Sequence, residues 1–262
     1  MPRWDLDRYR TELLRQTDLL RSLLGGAAPA VRVPTCPAWN LGQLARHVGG
    51  AHRWVETIVR TRATEPVSHH LVDDVFDYGD ENNEDTATLD AWLADGARQL
   101  TDALADAGPD TRVWTVVPDQ PLVFWARRML FETVVHRADA AWTVGRGYRL
   151  DPAVARDGLD EWMSFGTVPE AYDGNDVPLL GAGRTLRLSA TDDPAGDWFV
   201  DLTGDAPRRR YTGEEAAVTV RGPLTDLLLL VYGRPVEERI EVEGDRPLLD
   251  LWLRRTGFWL HE

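Results

Sequence analysis

RRMLFETVVHRADAAW, residues 127–142, sets Glu132 and His136 four positions apart in a run without glycine or proline. On a helix this spacing brings both side chains to one face, about 6 Å apart along the axis. One helix can offer two metal ligands in that way. The pattern is not HExxH, because a glutamate stands where the first histidine would be. Read by itself, a Glu-x-x-x-His pair is more often an intrahelical polar contact than a metal site.

A third ligand has to come from another helix. His47, in LARHVGG, is the strongest candidate, since Leu44, Val48 and Ala51 around it read as core-facing. Gly49 and Gly50 leave room for a neighbouring helix or a ligand to come close. His52 lies about 140° round the same helix and cannot point at the same metal. Two histidines and a carboxylate are a common catalytic zinc set, with one coordination position left open. Asp139, three residues after His136, is a candidate to orient it.

Outward from these segments the chain reads as four helices. The first spans about 5–24, with Leu6, Tyr9, Leu13, Leu20 and Leu24 in register and Gly25-Gly26 as its stop. A Pro-rich connection, VRVPTCPAW, leads to the second, capped by Asn40 with Gln43 in a capping box and running to about 62. The third covers about 86–107 with Leu89, Trp92, Leu93, Leu100 and Leu104 as its stripe. The fourth opens near Pro121 and ends near Val144, before Gly145. An antiparallel four-helix bundle over residues 1–150 follows. The acidic loop between the second and third helices, about 64–85, is expected at the surface.

After Asp151 the texture changes. A helix near 152–165 precedes strand-like segments at 185–191, 198–202, 216–221 and 239–243, with short proline-opened helices at 223–232 and 246–255. The expected fold class is therefore α+β and multidomain, with a small α+β domain over 151–262.

The 262 residues carry a formal charge of −14, which argues against nucleic acid and against an anionic membrane surface. No apolar run is long enough to span a bilayer. The opening MPRWDLDRYR lacks the apolar core of a signal peptide, and the single cysteine, Cys36, excludes an internal disulfide framework. A cytoplasmic location is expected.

Three stretches carry a resemblance. VPTCPAWNLGQLARHVGGAHRW (33–54), RRMLFETVVHRADA (127–140) and VTVRGPLTDLLLLVYGRPVEERIEVEGD (218–245) resemble the mycothiol-dependent maleylpyruvate isomerase family, within the DinB-like metalloenzyme superfamily. The first two resemble its metal-binding helices and the third its sterol-carrier-like C-terminal domain. The resemblance carries the family's metal ligands onto His47, Glu132 and His136. It implies zinc or another divalent metal, and mycothiol as the thiol. The residue before the family's glutamate is often polar. Here it is Phe131, so if that position shapes the substrate site, a substrate other than maleylpyruvate is expected.

By resemblance, the expected function is a zinc-dependent enzyme that activates a low-molecular-weight thiol toward a small-molecule substrate. Thiolate addition to a cis-enoyl acid creates a single bond that rotates, and elimination returns the trans acid and the thiol. A substrate with a leaving group gives a stable conjugate instead. The alternatives are a zinc-dependent hydrolase that activates water, and a non-catalytic metal- or ligand-binding protein. The C-terminal domain is expected to supply arginines, Arg208 and Arg234 among them, to hold the thiol or an acidic substrate.

Other residues read more plainly. Cys36 belongs to the TCP-x-W turn and is expected to be structural. His69-His70 read as solvated, with a proton relay over the site as the alternative, and Arg127 and Arg128 as surface ion-pairing residues, with bidentate binding of a carboxylate as the alternative. Trp54, Trp92, Trp142 and Trp252 read as core.

Overall fold

A computed structural model describes residues 4–68, 85–166, 178–210 and 215–257. The protein is α+β and divides into two compact units, Met1–Tyr148 and Arg149–Glu262.

The first unit holds four long helices: α1 (Leu6–Leu24), α2 (Leu41–Arg60), α3 (Thr86–Ala107) and α4 (Val123–Thr143). Their starts are written locally. Asp5 and Asp85 accept from the backbone N–H three residues on. Asn40 and Gln43 form a reciprocal capping box, satisfying two otherwise orphaned donors. No side chain caps α4, which begins two residues after Pro121.

The packing order differs from the chain order. Both α1 and α2 pack on α3 and α4 rather than closely on each other. A metal site shared by the second and fourth helices is therefore possible because α2 and α4 are direct neighbours. At the α2–α3 contact, a Cβ on Gly49 would come within 2.3 Å of the Trp92 indole nitrogen. Trp92 is half-buried rather than core. It is flanked by the guanidinium groups of Arg46 and Arg53, 4.4 and 3.3 Å from its ring centre. Trp142 is likewise half-buried, while Trp54 and Trp252 are core residues.

The Pro-rich connection before α2 is more ordered than its composition suggests. β1 (Arg32–Val33) and β2 (Cys36–Asn40) pair antiparallel, with Val33 opposite Cys36. Val33 is fully buried in a cluster with Leu24, Leu41, Leu44 and Ala140, and Cys36 and Trp39 pack against that cluster. The hairpin thus joins residues just ahead of α2 to the body of α4.

The second unit comprises α5 (Pro152–Phe165), β3 (Thr185–Ala190), β4 (Asp197–Asp201), β5 (Arg208–Arg210), β6 (Val218–Gly222), α6 (Leu224–Val231), β7 (Glu241–Gly244) and α7 (Arg246–Thr256). Its five strands lie in the order β5-β4-β3-β6-β7, with β3 and β6 parallel and the other pairs antiparallel. Leu186 and Leu188 of β3 face the core, and α6 packs on α5 and the central strands. β5 has three exposed arginines and no apolar alternation, so its sequence carries no strand signal. Among the described residues, no helix is long and apolar enough to cross a membrane.

Candidate metal centre

α4 is buried on nearly every side, charged residues included. Burying charge is costly unless each group finds a partner. The partners of this helix's polar residues define the site.

Glu132 is the hub. Its Oε1 lies 2.8 Å from His47 Nε2 on α2 and 3.1 Å from His136 Nε2, one turn further along α4. The three donor atoms lie within 4.8 Å of one another. His136 Nδ1 faces Asp139 Oδ2 at 2.9 Å. That bond keeps a proton on Nδ1 and turns Nε2 to the cluster, where a metal would take the place of the proton shared with Glu132. His47 and Glu132 keep 17% and 20% of their side-chain surface exposed, so the cluster borders solvent.

The charges are strongly coupled. Burial opposes ionisation of Glu132, but hydrogen bonds from His136 and His47 prevail and hold its carboxyl well below the usual range. Burial likewise opposes a charged His136. Hydrogen bonds with Asp139, Cys36 and Glu132 prevail and hold its imidazole well above the usual value.

The residues fit a divalent metal. Two imidazoles and a carboxylate are a zinc donor set, and around tetrahedral zinc such atoms stand roughly 3.3 Å apart. The gaps of 2.8 and 3.1 Å need only a slight opening. A buried carboxylate behind one histidine is the usual support for such a ligand. Cys36, His136 and Asp139 make a second close set. It shares His136, whose Nδ1 is already engaged by Asp139, so it reads as the support of the first set.

Two residues beside the site escaped the sequence reading, and two others were read as surface residues. Arg128 is buried, not a surface residue, and its guanidinium lies 3.4 Å from Glu132 Oε2. Arg127 is buried as well. The Trp39 ring centre is 4.6 Å from that of His47 and 5.7 Å from that of His136. Thr35 Oγ1 donates to Asp139 Oδ1 at 2.6 Å. Only the TCPAW stretch itself hinted at the last two.

The remaining candidates fall elsewhere. His52 bonds Thr133 and does not join the cluster. Phe131 is fully buried and is a core residue. Arg208 lies exposed on β5, and the Arg234 guanidinium donates to Tyr232 O at 2.7 Å; both belong to the second unit. His69 and His70 lie outside the described residues.

No curated protein sequence matches the chain. Among solved structures, the mycothiol-dependent maleylpyruvate isomerase superposes with a TM-score of 0.61 at 17% identity, covering 93% of this chain and 95% of that one. A histidine-to-alanine mutant of the mycothiol-dependent maleylpyruvate isomerase gives the same TM-score and coverage at 18% identity. At these identities the likeness is one of fold. The family model for the mycothiol maleylpyruvate isomerase N-terminal domain matches residues 10–141, and the model for the matching C-terminal domain matches 153–251. The first model alone spans half the chain and the second follows it in order: the chain belongs to the mycothiol maleylpyruvate isomerase family.

Proposed function

We propose that this protein is a metal-dependent enzyme that activates a low-molecular-weight thiol, mycothiol, for isomerisation of a cis-enoyl acid or for transfer to a small electrophile. The observation that carries the reading is the convergence of His47, Glu132 and His136 from two helices, with His136 braced from behind by Asp139. Membership of the family supports mycothiol as the thiol.

Bound there, a divalent metal such as zinc supplies the positive charge that keeps a thiol ionised near neutral pH. Asp139 keeps the His136 proton on Nδ1. Arg128 engages Glu132 Oε2 and so limits rotation of that carboxylate. Trp39 packs beside both histidine rings. We assign Arg208 and Arg234 as contacts for carboxylate or polar groups of the thiol or substrate, to be tested by a raised KM with kcat kept in their alanine variants. A reduced thiol pool places the reaction in the cytoplasm.

The test uses full-length protein loaded with cobalt. Added mycothiol is expected to produce an intense near-ultraviolet charge-transfer band, and turnover is expected to require the thiol. No spectral change at saturating thiol, with turnover independent of it, refutes the reading and favours a hydrolase.

A further inference from the structure

We infer that Thr35 is a positioning residue of the metal site, acting through Asp139 on His136; the inference rests on the metal reading above. Asp139 is fully buried, so its carboxylate must find its partners within the protein. Oδ2 accepts from His136 Nδ1 at 2.9 Å. Oδ1 accepts from the Thr35 hydroxyl at 2.6 Å, a short bond of the kind charge assistance gives. The Cys36 thiol approaches Oδ2 at 3.7 Å.

These contacts divide the work. A carboxylate held at one oxygen can turn about its Cβ–Cγ bond, and the imidazole bonded to it turns as well. A donor on the other oxygen removes that freedom and sets the plane in which His136 presents Nε2. The donor comes from a different element. Thr35 sits between β1 and β2, whose fully buried Val33 anchors the hairpin to the core. Thr35 and Asp139 lie 104 residues apart in sequence. His136 is thus aimed by the hairpin ahead of α2 as well as by its own helix. Removing the Thr35 hydroxyl takes a short, buried donor from Oδ1 and loosens the plane in which Asp139 holds His136.

The competing role is a staple that fastens the hairpin to α4 and has no bearing on the metal. The two separate in full-length Thr35→Val, which keeps the shape and loses the donor, and Thr35→Ser, which keeps the donor. Cobalt affinity is read by competition with a chromogenic chelator, and geometry by the visible cobalt bands. Thr35→Val is expected to weaken cobalt binding about 10-fold and alter the bands, and Thr35→Ser to restore both. Thr35→Ala takes the place of the valine variant if that one does not fold. Wild-type affinity and bands in the donor-less variant overturn the inference, as does a loss that serine fails to rescue. A wild-type protein that binds no cobalt removes the metal reading and this inference together. Tight binding in the wild type with no change in the variants removes the inference alone.

Discussion

His52 bonds Thr133, Nε2 to Oγ1 at 2.9 Å, in a fully buried contact one residue along α4 from Glu132. The Thr133 hydroxyl already donates to Met129 O at 2.8 Å, so the imidazole is the donor in the pair. This commits Nε2 of His52 to the bundle core, while His47 on the same helix meets Glu132 itself. His47→Ala, Glu132→Ala and His136→Ala are each expected to lose stoichiometric metal, and His52→Ala to keep it. Elemental analysis of the purified variants checks this, and near-full metal in Glu132→Ala would sink the assignment.

The same burial makes His52 a source of acid sensitivity. Desolvation, chiefly, and the nearby Arg53 charge push its imidazole down to about 3, against an ordinary value of 6.5. Above pH 6.5 neither the folded nor the unfolded state takes up this proton, and the contribution to stability is whole. Between 6.5 and about 3 only the unfolded state takes it, so stability falls by about 1.4 kcal/mol per pH unit. His136 acts in a different window: its raised value adds stability as the pH falls toward 6.5, and below 6.5, where both states are protonated, its contribution is constant. Urea titrations from pH 7 to 4.5 on wild type and His52→Gln isolate the term. The variant is expected to show the shallower decline, and parallel curves would contradict it.

Metal binding should release protons. In the metal-free protein His136 is held protonated well above its ordinary value, and a metal must displace that proton from Nε2. Near pH 7, calorimetry in buffers of different ionisation enthalpy should show about one proton released from His136, and affinity should weaken as the pH is lowered. An apparent binding enthalpy independent of the buffer would contradict this.

Gly49 is a packing requirement. A methyl at this position would meet the Trp92 indole at 2.3 and 2.4 Å and Arg53 at 3.3 Å. Either the indole or the helix must shift. Gly49→Ala is expected to destabilise the protein by about 1–3 kcal/mol, read as a lower urea midpoint. Gly147→Ala, where an added Cβ meets nothing within 4 Å, serves as the control and should move the midpoint little.

Much of the helical architecture was legible along the chain because its signals are local. Apolar spacing marked α1 and α3, and the Asn40–Gln43 pair marked the start of α2. Glu132 and His136 share a face because four residues make about one turn. The alternation in β3 was equally plain, whereas β5 has no apolar signal and forms by pairing with β4. Arg127 and Arg128 were misplaced at the surface because a charged pair reads as solvated until its helix is known to be enclosed.

Tertiary structure alone decided how the site is assembled. His47 meets Glu132 across 85 residues of sequence and Thr35 meets Asp139 across 104, and no spacing rule operates over such distances. Arg128 and Glu132 are only one turn apart, but their pairing gained weight through the burial of α4 between its neighbours. Local sequence determined which residues could be metal ligands, because helical periodicity sets which side chains share a face. The packing of α2 and the β1–β2 hairpin against α4 decided which of them meet, because a buried charge must be satisfied by whatever the fold brings beside it.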